Sequence, residues 1–222
     1  VSSALATQSG AADRGRSARK RIAILDAARD LFLHKGYAGT SMDDVAARAA
    51  VSKQTVYKNF ADKQRLFTEV ITTDVGRVGA ATQARISAMP DSTNVAADLK
   101  EFARWHLADV MQPARLRLRR TLIGEAERFP ELARTWYASG PEQSVAEFAR
   151  WFSAWDARRL LRTPDPVLAA QYFNWLVLSI PLNKAMAYAT DEPLFTAAEL
   201  DAYSDEAVRI FLAAYAVPGE TG

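Results

Sequence analysis

The stretch SMDDVAARAAVSKQTVYKNF, residues 41–60, decides the fold. It holds two short helical patterns separated by Ala50-Val51-Ser52. In the first, roughly Met42–Ala49, the residues Met42, Val45, Ala46 and Ala49 recur at i, i+3, i+4 and i+7 and form one buried stripe. Thr40 and Ser41 stand where N-caps belong, and Asp43 and Asp44 complete a capping-box pattern. The second pattern starts after Ser52, another good N-cap, and ends near Phe60. Val56 and Phe60 lie four apart and face inward. Lys53, Gln54, Tyr57 and Lys58 share a different surface, so two cations, an amide and a phenol crowd a small area.

Two short helices with so tight a joint fit a helix-turn-helix, whose second member enters the DNA major groove. That groove is about 12 Å wide and admits one helix. The N-terminal end of the second helix approaches the bases, and its free N–H groups and positive dipole end favour phosphate. Gln54 has the donor and acceptor to match adenine N6 and N7. Lys53 can donate to guanine O6 or N7, or to phosphate. Tyr57 and Lys58 suit backbone contacts that set register, and Thr40, Ser41 and Lys63 flank the motif. Each feature has a plainer explanation: a solvated face, a partly buried Tyr57, hydroxyls that only cap. Their coincidence within 65 residues favours the nucleic-acid reading.

Working outward, a first helix is expected over roughly Ala18–Lys35, with Ile24, Leu25, Ala28, Leu31 and Phe32 at helical spacing and Gly36 as its C-cap. Residues 1–17 read as a disordered basic arm. With Arg14, Arg16, Arg19, Lys20 and Arg21 nearby, it suits phosphates or a minor groove. The first 20 residues lack the apolar core of a secretory signal. A fourth helix, 63–88, capped by Asp62 and carrying Leu66, Phe67, Val70, Ile71, Val75 and Val78, links a DNA-binding domain at 18–65 to a larger one at 66–222.

Charge supports this division. Residues 1–65 hold 12 Lys+Arg against 6 Asp+Glu, and residues 66–222 hold 16 against 20. A basic end on a nearly neutral chain points to a polyanion partner. The absence of cysteine removes disulfides, thiolate metal sites and cysteine nucleophiles. With only His34 and His106, no Gly-rich phosphate loop and no metal-ligand spacing, no catalytic or metal residues and no cofactor are expected. No apolar run reaches the ~18 residues of a membrane helix, so the expected location is the cytoplasm.

Beyond Pro90 the chain reads as further helices, about nine in an all-α fold. Pro113, Pro130, a Ser139-Gly140-Pro141 break and Asp165-Pro166 punctuate them, and Pro181 kinks or divides the helix that holds it. All five tryptophans fall here, in an aromatic-rich interior that is core or ligand box. Trp105, His106, Trp151, Asn174, Trp175 and Asn183 are the candidate lining for an apolar or aromatic effector. The run Arg115–Arg120 is first a solvated face paired with Glu125 and Glu127, and second a site for an anion.

The front of the chain closely resembles the TetR family of bacterial repressors. The resemblance runs through Ile24–Ala28, Leu31-Phe32, Gly36-Tyr37, Thr40-Ser41, Val45-Ala46, Val51-Ser52, Thr55–Tyr57, Phe60, Lys63 and Leu66, and covers roughly residues 18–75. It implies a homodimer on a palindromic operator in double-stranded DNA, with the last two long helices as the dimer surface. It also implies a small-molecule effector whose binding moves the two DNA heads out of register. By position the family's DNA contacts fall on Thr40, Ser41, Ser52, Lys53, Gln54, Thr55, Tyr57, Asn59 and Lys63, to which the exposed patch adds Lys58. Ala50 stands where the family usually has glycine, at a cost of ~1 kcal/mol or more if the position is left-handed. Asn59 replaces the commoner His or aromatic. The competing reading is an all-helical enzyme or small-molecule carrier with an incidental basic head.

Overall fold

The structure, a computed structural model, describes residues 2–73, 87, 89–91, 93–188, 190 and 192–217, with side chains from Gly15 onward except at Pro90. The described elements are α1 (Ser2–Lys35), α2 (Met42–Arg48), α3 (Lys53–Asn59), α4 (63–73), α5 (Val95–Val110), α6 (Pro113–Gly124), α7 (Pro130–Tyr137), α8 (Gln143–Ala157), α9 (Pro166–Ala187) and α10 (Ala197–Tyr215). The all-α fold is as expected; among the described residues the one β feature is an isolated bridge between Leu161 and Ala216. Val75, Val78 and the end of the fourth helix lie outside the described residues.

The stretch expected as a disordered arm, 1–17, is instead helical from Ser2. Its composition explains this: Ala4, Ala6, Ala11 and Ala12 are strong helix formers, no proline intervenes, and propagation from the packed part of α1 is cheap once a helix exists.

Contacts divide the chain into two compact units. One holds α1–α4 together with Thr121–Ala133, and the other holds α5, most of α6, and Arg134 onward. The sequence had suggested a single cut at 65/66. In the first unit Phe32, Tyr37, Phe67 and Phe129 meet edge to face. Their ring centroids are 4.9 Å apart for Phe32–Phe67, 5.0 Å for Tyr37–Phe67 and 4.7 Å for Tyr37–Phe129. Phe129 therefore completes a core whose other members lie more than sixty positions earlier, which local periodicity cannot reveal.

The second unit is built on α5, α8, α9 and α10. Phe102, Phe148, Trp151, Phe152, Trp155, Phe173 and Phe211 are buried in one continuous cluster. Arg104 of α5 grips Asp205 of α10 through both its Nε (2.9 Å) and an Nη (2.6 Å). Pro113, Pro130 and Pro166 open their helices, where a missing N–H is harmless. The break expected at Ser139-Gly140-Pro141 is a wide π-turn, Ala138–Glu142, that carries α7 into α8 without a gap. Pro181 does not divide α9, which runs through it.

Candidate nucleic-acid interface

The joint between α2 and α3 is a Schellman turn. Val51 N–H donates to Ala46 C=O (3.1 Å), Ala50 N–H donates to Ala47 C=O (3.2 Å), and Ala50 takes a φ of +53°. The suspected left-handed position is thus real and is occupied by alanine. Upstream, Ser41 caps α2 in a full capping box with Asp44, whose carboxyl is held below its ordinary pKa by the Ser41 hydroxyl and N–H and by Lys35. Ser52 caps α3 by accepting from Thr55 N–H (3.2 Å). Val56 and Phe60 are buried and anchor α3 against its unit.

This local order leaves Lys53, Gln54, Tyr57 and Lys58 exposed together on α3. Lys53 is engaged there: its Nζ lies 2.6 Å from Asp43 Oδ2, an exposed pair that solvent keeps weak. Ser52 and Thr55 share a hydrogen bond between hydroxyls (2.8 Å), and Asn59 Nδ2 donates to Thr55 C=O (2.8 Å).

Three expected phosphate ligands make contacts within the protein. Thr40 is 2% exposed and its hydroxyl donates to Gly36 C=O (2.9 Å). The Lys63 ammonium donates to the carbonyls of Tyr37 and Thr40, each at 2.9 Å, and sits 4.4 Å from the Tyr37 ring centroid. It closes the α1–α2 loop, whose carbonyls follow a left-handed Gly36 (φ +71°) and have no helix to enter. Arg21, expected on phosphate with the arm, donates to Asn59 C=O (3.3 Å), pairs with Glu69 and lies 4.6 Å over the Phe60 ring. It staples α1 to the end of α3. Arg16, Arg19 and Lys20 are exposed; the side chain of Arg14 lies outside the described residues. A lysine or arginine near a basic motif gives no sequence sign of whether carbonyls or phosphates claim it.

The six candidate effector residues do not form one lining. His106 and Asn174 are buried and paired, with His106 Nε2–H donating to Asn174 Oδ1 (3.2 Å). The imidazole stacks on Phe102 at 5.5 Å and meets Phe148 edge-on at 5.5 Å, and Trp151 is fully buried beside both rings. Burial drives the His106 pKa down to about 4; Asn174 opposes this, and the charges of Arg115 and Arg119 add to it. Trp105 is partly buried against Phe102. Trp175 (46% exposed) and Asn183 instead lie on the open side of α9. Its opposite side carries Phe173, Val177 and Leu178 into the core, so helical phase places these two outside the set. Within the arginine run, Arg115 pairs with Asp109 and Arg120 donates to Ala185 C=O (2.9 Å), in place of the expected Glu125 and Glu127. Among the described residues no group of three or more His, Asp or Glu is placed to hold a metal. No described helix is long and apolar enough to cross a membrane.

Comparison with known proteins gives two separate family matches along the chain. Residues 24–70 match the family described as bacterial regulatory proteins, tetR family, and residues 97–217 match the AefR-like transcriptional repressor C-terminal domain. The chain belongs to the TetR family. A TetR-family transcriptional regulator from Mesorhizobium loti is similar along almost its whole length, with 40% identity, 91% of this chain and 99% of that one covered, and a TM-score of 0.84. The Flavonoid-responsive Regulator FrrA is 31% identical, with 91% and 100% covered and a TM-score of 0.70. Two curated proteins are similar over shorter stretches. YhgD of Bacillus subtilis is 47% identical over 55 residues, and the transcriptional activator FasR of Mycolicibacterium smegmatis is 30% identical over 73. The chain spans 28% and 33% of the lengths of those two relatives. These relatives are transcriptional regulators, and the enzyme alternative falls with that finding.

Proposed function

We propose that the protein is a dimeric, operator-binding transcriptional repressor of the cytoplasm, released from a palindromic site in double-stranded DNA by a small apolar or aromatic effector. The observation that carries the proposal is the exposed set Lys53, Gln54, Tyr57 and Lys58 on a helix anchored by Val56 and Phe60 beyond a Schellman joint. Gln54 reads adenine, Lys53 donates to guanine or phosphate, and Ser41, Ser52, Thr55, Tyr57, Lys58 and Asn59 hold the backbone. Thr40 and Lys63 serve the same surface by fixing the loop beneath it. Repression is the output in keeping with the repressor family that the C-terminal half matches.

Two copies are supported by α9. Leu168, Tyr172 and Trp175 follow at i, i+4 and i+7 and are all exposed, as is Ile210 of α10. An apolar stripe of this kind seeks a partner, and pairing across a two-fold axis buries it in an intermolecular four-helix bundle. An aromatic effector is supported by the rings of Phe102, Phe148 and Trp151 around the His106–Asn174 pair, and by a relative whose name records a response to flavonoids.

Genomic footprinting of the purified protein tests the reading. A palindromic protected site is expected, and Gln54→Ala is expected to weaken binding there by about 1–3 kcal/mol through one base position per half-site. Equal losses on operator and random DNA would remove Gln54 from base reading. No footprint at micromolar protein would end the proposal.

A further inference from the structure

The corner between α5 and α6 holds an imbalance of charge. Arg115 and Arg119 stand at i and i+4 on one side of α6, and His106 and Asp109 stand at i and i+3 on one side of α5. Asp109 pairs with Arg115. Arg119 has no carboxylate opposite it among the described residues; its guanidinium lies 5.1 Å from the Trp136 ring centroid. It is partly buried, and that desolvation disfavours its charged form. His106 adds no charge, because burial keeps it neutral. Two cations therefore face one anion beside an aromatic interior, and a partly desolvated cation without a counter-ion is a standing cost.

We infer that the effector is an acid: an apolar or aromatic body carrying one carboxylate, which pairs with Arg119 while the body packs toward Phe102, Phe148 and Trp151. The inference rests on the effector reading above and narrows it to a charge class. Arg119 is suited to the role because a planar guanidinium accepts a carboxylate through two parallel N–H donors. Trp136 meets the cation through the face of its ring, an interaction that does not use the guanidinium N–H donors. His106 and Asn174 mark the polar end of the aromatic cluster nearest the two arginines. Their acceptor and donor groups suit a second polar atom on the same molecule.

The test compares acids with neutral isosteres of the same shape, using the full-length protein. Binding of 2-naphthoate and of decanoate is measured beside 2-naphthamide and decanamide, by tryptophan fluorescence and calorimetry. At least one acid is expected to bind ten-fold or more tightly than its amide. Arg119→Gln is expected to abolish that preference; Arg119→Lys should keep part of it. Equal binding of acid and amide by the unmodified protein overturns the inference without any variant. So does failure of both acids to bind at millimolar concentration, or an acid preference that survives Arg119→Gln. Operator release is scored separately. Acids that bind without releasing DNA would sink the effector reading and leave the anion site standing, whereas release by amides alone would do the reverse.

Discussion

Replacing Ala50 by glycine should stabilise the protein, although it deletes a methyl group. Ala50 holds φ at +53°, where an L side chain costs about 1–2 kcal/mol relative to the right-handed region. Glycine bears no such cost but loses more freedom on folding, which returns about 0.4–1 kcal/mol to the unfolded chain. Ala50 is exposed, so no packing is lost with the methyl. The balance is a gain of about 0.5–1 kcal/mol, or roughly 1–4 °C in Tm for a chain of this size. Thermal and urea unfolding at fixed protein concentration measure it, since a dimer's Tm depends on concentration. Ala47→Gly is the internal control. Ala47 is also exposed and sits inside α2, where glycine costs about 1 kcal/mol. The two substitutions remove the same atoms and should move Tm in opposite directions. A loss in both would show that the joint is not strained as its φ implies.

The other expectations concern groups whose roles the structure altered. Lys63→Met removes two charge-assisted hydrogen bonds to the Tyr37 and Thr40 carbonyls, each of the kind worth about 1.5–3 kcal/mol, so it should lower Tm and leave the salt dependence of DNA binding unchanged. A flatter salt slope would return Lys63 to the phosphate contacts. Because burial holds His106 at about 4 against an ordinary 6.5, the unfolded chain takes up a proton that the folded chain refuses between those values. This term costs nothing above pH 6.5 and removes up to about 3 kcal/mol as pH falls toward 4. His106→Gln should therefore show a shallower acid loss of stability, and identical pH profiles would contradict the burial argument. Trp175→Glu should weaken the proposed dimer more than ten-fold, because it forfeits an apolar burial of about 1.5–3 kcal/mol and buries a charge. Unchanged sedimentation equilibrium would clear α9 of that role.

The elements that rest on local pattern were legible in advance. The stripe of α2, the caps Ser41 and Ser52, the outward set on α3 and the prolines that open α6, α7 and α9 depend only on spacing and residue type. Contacts between distant segments were not legible. Phe129 joins the core of the first unit from a place that looks like the middle of the second, and Arg21 and Lys63 are claimed by carbonyls 38, 26 and 23 positions away. Trp175 and Asn183 failed for another reason. The apolar pattern on α9 is almost continuous around the helix, so periodicity could not say which residues face the core.

The π-turn at Ala138–Glu142 has a consequence for how this chain can vary. A proline inside a straight helix collides with the carbonyl four positions back, and the wider coil that carries Pro141 avoids the collision by taking in one surplus residue. Deleting that residue alone would force the ring into a regular turn, and losing the ring alone would leave the bulge with nothing to accommodate. The two changes are tied: descendants of this sequence should drop both together or keep both, and insertions or deletions of one position should collect at this seam before they collect anywhere else in the α7–α8 rod.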